Sequence, residues 1–410
     1  MSGSEWANCY GKVIAALPHI AAEAPVTFCG MGACIDARIF LHDIGPMLAS
    51  AQAEATAFGR MLQARAAKGK GGELAYDWPD GPTWIAENLP VSYALGGTGP
   101  HAAWTLSAIG APALLALEDR SNKMLGLVPG DVMLAEGDRI VRAGTVQPSG
   151  TERPKVYIFE YTTGRSVGDV VPVRSSRIIV RFADLGLEND ASFERASVRL
   201  ASRAGAGLVA GFTAVPSEIL DAELRRVVAL VRSWRAAGLA TVHLELAGYD
   251  ALDHARKVLD AFKGCVTSLG MSQSEFTALR GDPPVLANAM MSFGDQMEVD
   301  RVCVHADHWA ASVTKRDQAV ERGALMVGSL VASTRAGIGK PVLPTTLDLS
   351  ARFQDLPFGL EGGVGSWQVV ACASPYISHP KTTLGLGDTF TAGCLLALGS
   401  EFKQAAPSPS

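Results

Sequence analysis

Apolar and polar positions along this chain alternate with two different periods, and the change of period divides it. Residues 4–22 repeat apolar side chains every three to four positions and predict an amphipathic helix. Residues 26–30 form a short apolar run ending in glycine, the pattern of a buried strand. Residues 49–68 are rich in Ala, Gln, Glu and Arg, which favour helix, and the Gly69–Gly72 stretch breaks it. Residues 77–88 hold two prolines and predict a turn into a short helix. A glycine-rich turn, Leu95-Gly96-Gly97-Thr98-Gly99, leads into a helix over 102–109 and a strand over 113–117.

From 138 to 182 the texture becomes strand-like, with runs at 156–161 and 177–182 separated by turn residues, which predicts an antiparallel β unit. Beyond residue 190, strands and helices alternate. Strands are expected at 207–211, 241–246 and 265–269, and helices at 217–237 and 250–262. The segments 301–305, 324–330 and 369–373 continue the pattern. Such alternation implies a doubly wound, mainly parallel α/β sheet flanked by helices. Ligands of open α/β sheets bind beyond the carboxyl ends of the strands. Asp36, Glu245, Glu275 and Asp388 each end or closely follow an expected strand, and four acids on one rim suit a Mg²⁺-phosphate site.

Composition narrows the function. With 410 residues, 48% of them hydrophobic, the chain can bury a large core. Its net charge of −5 argues against a nucleic-acid partner. Seven scattered cysteines without a CxxC pair predict reduced, buried thiols and a cytoplasmic location. The first ten residues carry Glu5 and Asn8 with no basic start or apolar core, which predicts no export signal. No apolar run reaches a membrane-spanning length. Residues 404–410 read as a disordered polar tail.

Gly385-Leu386-Gly387-Asp388 carries the most chemistry. Two glycines precede an acid, and the run 389–398 is small and apolar enough for a helix. Backbone N–H groups and a helix N-terminus there can hold a phosphate, and the carboxylate beside it can take a proton from an attacking hydroxyl. A helix N-cap is the plainer alternative. The 30–36 segment, ending in Asp36, either caps the next element or binds substrate hydroxyls. Gly96, Gly97 and Thr98 form a plain turn or a close backbone approach to a ligand. His243 and Glu245 share a strand face; they read as a locally bonded histidine or as a Glu that reaches Mg²⁺ through water. Ser272 to Glu275 reads as a capping box, which is compatible with a metal role for Glu275. Lys155, Arg174 and Arg177 read as a solvated basic face or as an anion clamp.

Together these residues resemble the ADP-dependent glucokinase and phosphofructokinase family of the ribokinase-like superfamily. Thr382 to Asp388 is similar to that family's GxGD segment, and His243-Leu-Glu245 to its HxE motif. Ser268 to Glu275 resembles the NxxE segment, with serine in place of asparagine. The 156–161 run and Arg174-Ser-Ser-Arg177 resemble the lid strands and their RxNR stretch, and Gly30 to Asp36 the first sugar-binding turn. Gly32 and Thr98 depart from the usual Asn and Asn or Gln.

The resemblance implies a ribokinase-like domain over 1–36, 96–117 and 186–403, with a smaller α+β lid over 37–95 and 118–185. It implies an ADP-dependent sugar kinase with ADP as phosphoryl donor, Mg²⁺ or another divalent cation as cofactor, and AMP as product. Asp388 would be the base, with Gly385, Leu386 and Gly387 holding the transferred phosphate. Glu245 and Glu275 would organise the metal, and His243 and Thr382 would serve the nucleotide. Asp36, Gly96, Gly97 and Thr98 would bind the sugar. The basic trio leans toward an anionic acceptor such as fructose 6-phosphate, with glucose second. An ATP-dependent ribokinase-like kinase and a non-catalytic sugar or nucleotide sensor are further alternatives. The extra lid segments favour a monomer.

Overall fold

The computed structural model describes residues 2–184, 186–249, 251–357, 360 and 363–404. Two sheets organise them. The larger has ten strands, in the order Gln368–Ala373, Trp309–Thr314, Arg301–His305, Ser268–Ser272, Val242–Glu245, Ala206–Val209, Thr27–Cys29, Ala113–Leu115, Met133–Glu136 and Arg139–Arg142. The seven strands from Arg301–His305 to Met133–Glu136 run parallel, and antiparallel strands finish both edges. The central strands are short and buried throughout, as parallel strands covered on both faces must be.

One face packs against helices Gly3–Glu23, Thr98–Ala108, Gln318–Ile338 and Leu386–Gly399. The other packs against Ala191–Leu200, Ser217–Ala236, Leu252–Phe262 and Leu286–Met297. The first helix starts at a Ser2–Glu5 capping box and buries Trp6, Tyr10, Val13 and Leu17 at helical spacing. Strand alternation decides which residues face the C-terminal helix. Val242 and Leu244 enter the opposite core, so His243 and Glu245 point toward Leu386–Gly399. In the same way Val302 and Val304 leave Arg301, Cys303 and His305 on that face.

The smaller sheet has five strands, in the order Gly72–Ala75, Ser176–Arg181, Val156–Tyr161, Cys34–Phe40 and Ser92–Gly96. Its outer face buries Ala37, Ile39, Tyr157, Phe159, Ile178 and Val180 around Phe58 of helix Ala53–Ala67. The alternate residues Asp36, Arg38, Glu160 and Arg177 therefore line the inner face, over the rim of the large sheet. This is the α/β class expected, a doubly wound mainly parallel sheet with a smaller α+β layer.

Several expectations shift. The strands Met133–Glu136 and Arg139–Arg142 extend the large sheet, although the resemblance places 118–185 in the lid; Leu134 and Ala135 are buried against the large sheet's two opposite cores. The 138–182 stretch is accordingly not one antiparallel unit, and Val156–Tyr161 runs parallel to Cys34–Phe40. The end of the 30–36 segment, expected as a turn, instead opens the strand Cys34–Phe40 of the small sheet. Residues 324–330 continue the alternation as part of helix Gln318–Ile338, where all seven are buried. The strand expected at 265–269 runs Ser268–Ser272. Gln404 is buried and donates its backbone N–H to Ala319, so the chain is held to that point; residues 405–410 lie outside the described residues, as does Asp250. All seven cysteines are free, and six are buried. Among the described residues no helix is long and apolar enough to cross a membrane.

Candidate functional site

The rim between the two sheets gathers most of the singled-out residues. Gly385 takes φ +69° and ψ 18° and caps helix Leu386–Gly399, placing Asp388 in its first turn. Gly385 is glycine for two reasons. The left-handed backbone disfavours a side chain, and a Cβ there would lie 2.6 Å from Nη2 of Arg335. That guanidinium is buried behind the turn. Its Nη1 donates to the Gly385 carbonyl at 3.1 Å and to Thr389 Oγ1 at 2.8 Å, and Nη2 meets His101 Nδ1 at 3.2 Å. Burial pulls Arg335 down to about 10 against the attraction of Asp388. Among the described residues no carboxylate hydrogen-bonds this buried cation, which stands behind the positive end of a helix, so the turn favours an anion.

Asp388 is half-buried and accepts a hydrogen bond from Thr98. Burial raises its carboxyl, Glu245 adds to the rise, and Thr98, Arg335 and Arg177 oppose it. Asp36 faces it from the small sheet. Burial pushes Asp36 up to about 7, opposed by the Cys34 hydrogen bond at 3.5 Å, with the Asp388 charge adding to the rise. Gly96 leaves the room Asp36 needs, since a Cβ there would fall 2.1 Å from its Oδ1. Gly97, at φ +92°, turns the chain into helix Thr98–Ala108.

On the strand side, Glu245 is buried among donors. Its Oε2 meets His243 Nε2 at 2.8 Å and Thr391 Oγ1 at 3.1 Å, and its Oε1 lies 3.7 Å from His305 Nε2. Burial alone would raise this carboxyl, but the two histidines outweigh it and hold it at about 2. Glu275 forms the expected capping box: its Oε2 accepts from the Ser272 N–H at 2.6 Å, and its own N–H donates to Ser272 Oγ at 3.3 Å. Burial raises Glu275, and the charge of Glu245 raises it further.

Direct metal coordination does not suit these acids. One oxygen of each is already taken, and among the described residues no group of three His, Cys, Asp or Glu side chains converges. Glu245 Oε1 faces His305 at 3.7 Å, and a hydrated Mg²⁺, reluctant to shed water, would meet carboxylates so engaged through its waters.

The other expected residues divide. Arg177 reaches across to Thr383 Oγ1 at 3.4 Å and acts electrostatically on both Asp36 and Asp388. Lys155 instead pairs with Glu152 and lies 5.8 Å from the Tyr93 ring, and the exposed Arg174 donates to the Gly69 carbonyl at 2.7 Å. Neither is gathered with Arg177. His243 is buried beneath Glu245 rather than open to the cleft. Thr382 accepts from the Leu384 N–H at 3.2 Å in the loop before Gly385.

Sequence reasoning missed Arg335, His101 and His305. His305 ends the strand Arg301–His305, packs on Phe390 at 4.9 Å between ring centroids and lies beneath Gly387. Its strand-end position was the available signal. Arg335 and His101 sit on helices with none.

Comparison with known proteins agrees with this architecture. A solved ADP-dependent kinase in complex with fructose-6-phosphate and ADPbetaS superposes with a TM-score of 0.81 at 16% identity, covering 99% of this chain and all of that one. A hypothetical ADP-dependent phosphofructokinase from Pyrococcus horikoshii OT3 gives 0.77 at 18% identity, over 93% of this chain and 99% of that one. At these identities the likeness shows the fold, which is ribokinase-like. Among curated proteins, the ADP-specific phosphofructokinase of Thermococcus zilligii is 21% identical over 60% of this chain and 62% of its own length. The ADP-dependent glucose/glucosamine kinase of Pyrococcus abyssi is 21% identical over 59% and 60%. The chain thus spans about 60% of the length of the curated relatives it matches. Residues 26–397 match the model of the ADP-specific phosphofructokinase/glucokinase conserved region, and the chain belongs to that family.

Proposed function

We propose that this chain transfers the terminal phosphate of ADP to a hydroxyl of a sugar or sugar phosphate, giving AMP. The observation that carries the reading is Asp388, a carboxylate on the first turn of a helix whose glycine turn is backed by a buried arginine. The acceptor oxygen attacks the terminal phosphorus as its proton passes to Asp388. The bond from that phosphorus to the bridging oxygen breaks, and AMP departs. Burial raises the Asp388 carboxyl above the ordinary carboxylate range, which strengthens it as a base. Amides at Gly385 to Gly387, with Arg335 behind them, would stabilise charge on the transferred group. Asp36 would orient the acceptor hydroxyls, assisted by Thr98. Mg²⁺, held through its waters by Glu245 and Glu275, would offset diphosphate charge.

A sugar phosphate is the favoured acceptor, because Arg177 lies on the inner face of the small sheet within electrostatic reach of both acids. Glucose is the second reading. It is favoured by the pairing of Arg38 with Glu160 at 2.6 Å and of Lys155 with Glu152, which leaves few cations to meet an anion. The test is a coupled assay with ADP and then ATP against glucose and fructose 6-phosphate, on the unaltered chain and on Asp388→Asn. The expected result is ADP-dependent turnover that falls by about 10²- to 10⁴-fold in the variant, with ADP affinity by calorimetry retained. Near-normal turnover in the variant would remove Asp388 as the base.

A further inference from the structure

A continuous line of buried polar groups runs beneath Glu245. Glu321 of helix Gln318–Ile338 accepts from Nε of Arg301 at 2.8 and 3.0 Å. Arg301 Nη1 donates to Ser268 Oγ at 3.1 Å. Ser268 Oγ lies 2.7 Å from His243 Nδ1, and His243 Nε2 lies 2.8 Å from Glu245 Oε2. Thr391 Oγ1 of the C-terminal helix donates to that same oxygen at 3.1 Å. Glu321, Arg301, Ser268 and His243 are at most 2% exposed, so water does not compete along this part of the line.

Donor and acceptor counting assigns every proton. A guanidinium only donates, and a hydroxyl has one hydrogen. Ser268 Oγ therefore accepts from Arg301 and spends its own hydrogen on His243 Nδ1. Nδ1 is then an acceptor, and the ring's single N–H is at Nε2, directed at the carboxylate. The opposite tautomer would strand the serine hydrogen and set the Nε2 lone pair against carboxylate lone pairs at 2.8 Å. A doubly protonated ring would strand the same hydrogen and add a second cation beside Arg301. Unmet buried groups of this kind are costly.

We infer that Ser268 and Arg301 are positioning residues that lock His243 as the neutral Nε2–H tautomer and so fix which oxygen of Glu245 faces the rim. With Oε2 held by His243 and Thr391, Oε1 is the oxygen a ligand would meet, beside His305 Nε2 at 3.7 Å. The functional half of this inference rests on the role proposed above for Glu245; the tautomer assignment does not.

The experiment is long-range ¹H–¹⁵N correlation on histidine-labelled full-length protein, with the His243 signals assigned by their loss in His243→Gln, followed by kinetics of Ser268→Ala and Ser268→Thr. The expected ring carries its proton on Nε2. Ser268→Ala loses that preference and lowers kcat by about 10- to 100-fold with the acceptor KM unchanged, and Ser268→Thr restores both. A proton on Nδ1 in the unaltered protein overturns the inference whether or not the variants fold. An unchanged kcat in a folded Ser268→Ala overturns the positioning role. If the unaltered chain phosphorylates no sugar, the proposed activity falls, and the tautomer measurement still decides the relay.

Discussion

Arg177 donates to Thr383 Oγ1 at 3.4 Å, joining the inner face of the small sheet to the loop that precedes Gly385, 206 residues away in sequence. The contact puts a guanidinium beside the turn where the transferred phosphate is proposed to sit. Arg177→Gln is expected to raise KM for a sugar-phosphate acceptor about tenfold or more, the scale of a lost charge-assisted hydrogen bond. Lys155→Gln and Arg174→Gln, whose side chains are engaged elsewhere, leave it unchanged. Steady-state kinetics on the three variants checks this. Equal effects from all three would restore the wider clamp.

Gly385→Ala tests the turn. The substitution forces a Cβ into a left-handed backbone and against Arg335. It should lower stability in urea unfolding by at least about 1 kcal/mol and reduce kcat together with stability. A fully stable, fully active alanine variant would show that the turn does not need its conformation.

Asp36 makes stability depend on pH in a direction opposite to that of a salt-bridged acid. Its folded carboxyl is raised to about 7 from an ordinary value of 3.8. Between those values the folded chain holds a proton that the unfolded chain has released. Stability therefore declines as pH rises from about 4 to about 7, by roughly 1.4 kcal/mol per unit at most. Asp36→Asn removes this contribution, so its unfolding free energy should fall less than that of the unaltered chain between pH 5 and 8. Parallel pH profiles for the two would place the Asp36 ionisation elsewhere.

Ser272 and Glu275 separate structure from chemistry within one capping box. Ser272→Ala deletes the cap and should cost about 1 kcal/mol. Glu275→Gln keeps a side chain able to close the box but loses the charge, so it should spare stability while raising the Mg²⁺ concentration needed for half-maximal rate. Thermal unfolding and a Mg²⁺ titration distinguish them. A Glu275→Gln variant with normal Mg²⁺ dependence confines that residue to its helix.

What could be read from the chain depended on how local the signal was. Gly385 to Asp388 and Ser272 to Glu275 act within one turn, so spacing alone exposed them. Short parallel strands such as Thr27–Cys29 and Ala206–Val209 also announce themselves, since burial on both faces leaves them almost without polar side chains. The strand Met133–Glu136 failed this test because its polar neighbours resembled the antiparallel stretch that follows. Helix Gln318–Ile338 is harder to read because its middle, residues 323–331, is buried throughout and offers no polar face to mark its period. Arg335 was invisible because its partners, Gly385 and His101, lie 50 and 234 positions away. Lys155 and Arg174 looked equivalent to Arg177 in sequence, and only their neighbours Glu152 and Gly69 distinguish them.

Helix Gln318–Ile338 carries both Glu321, at the far end of the line leading to Glu245, and Arg335, behind the Gly385 turn. Fourteen residues of one helix, roughly 21 Å, thus brace the two halves of the rim as a single strut. A shift of that strut would disturb both halves at once, which ties the Gly385 turn mechanically to the line beneath Glu245.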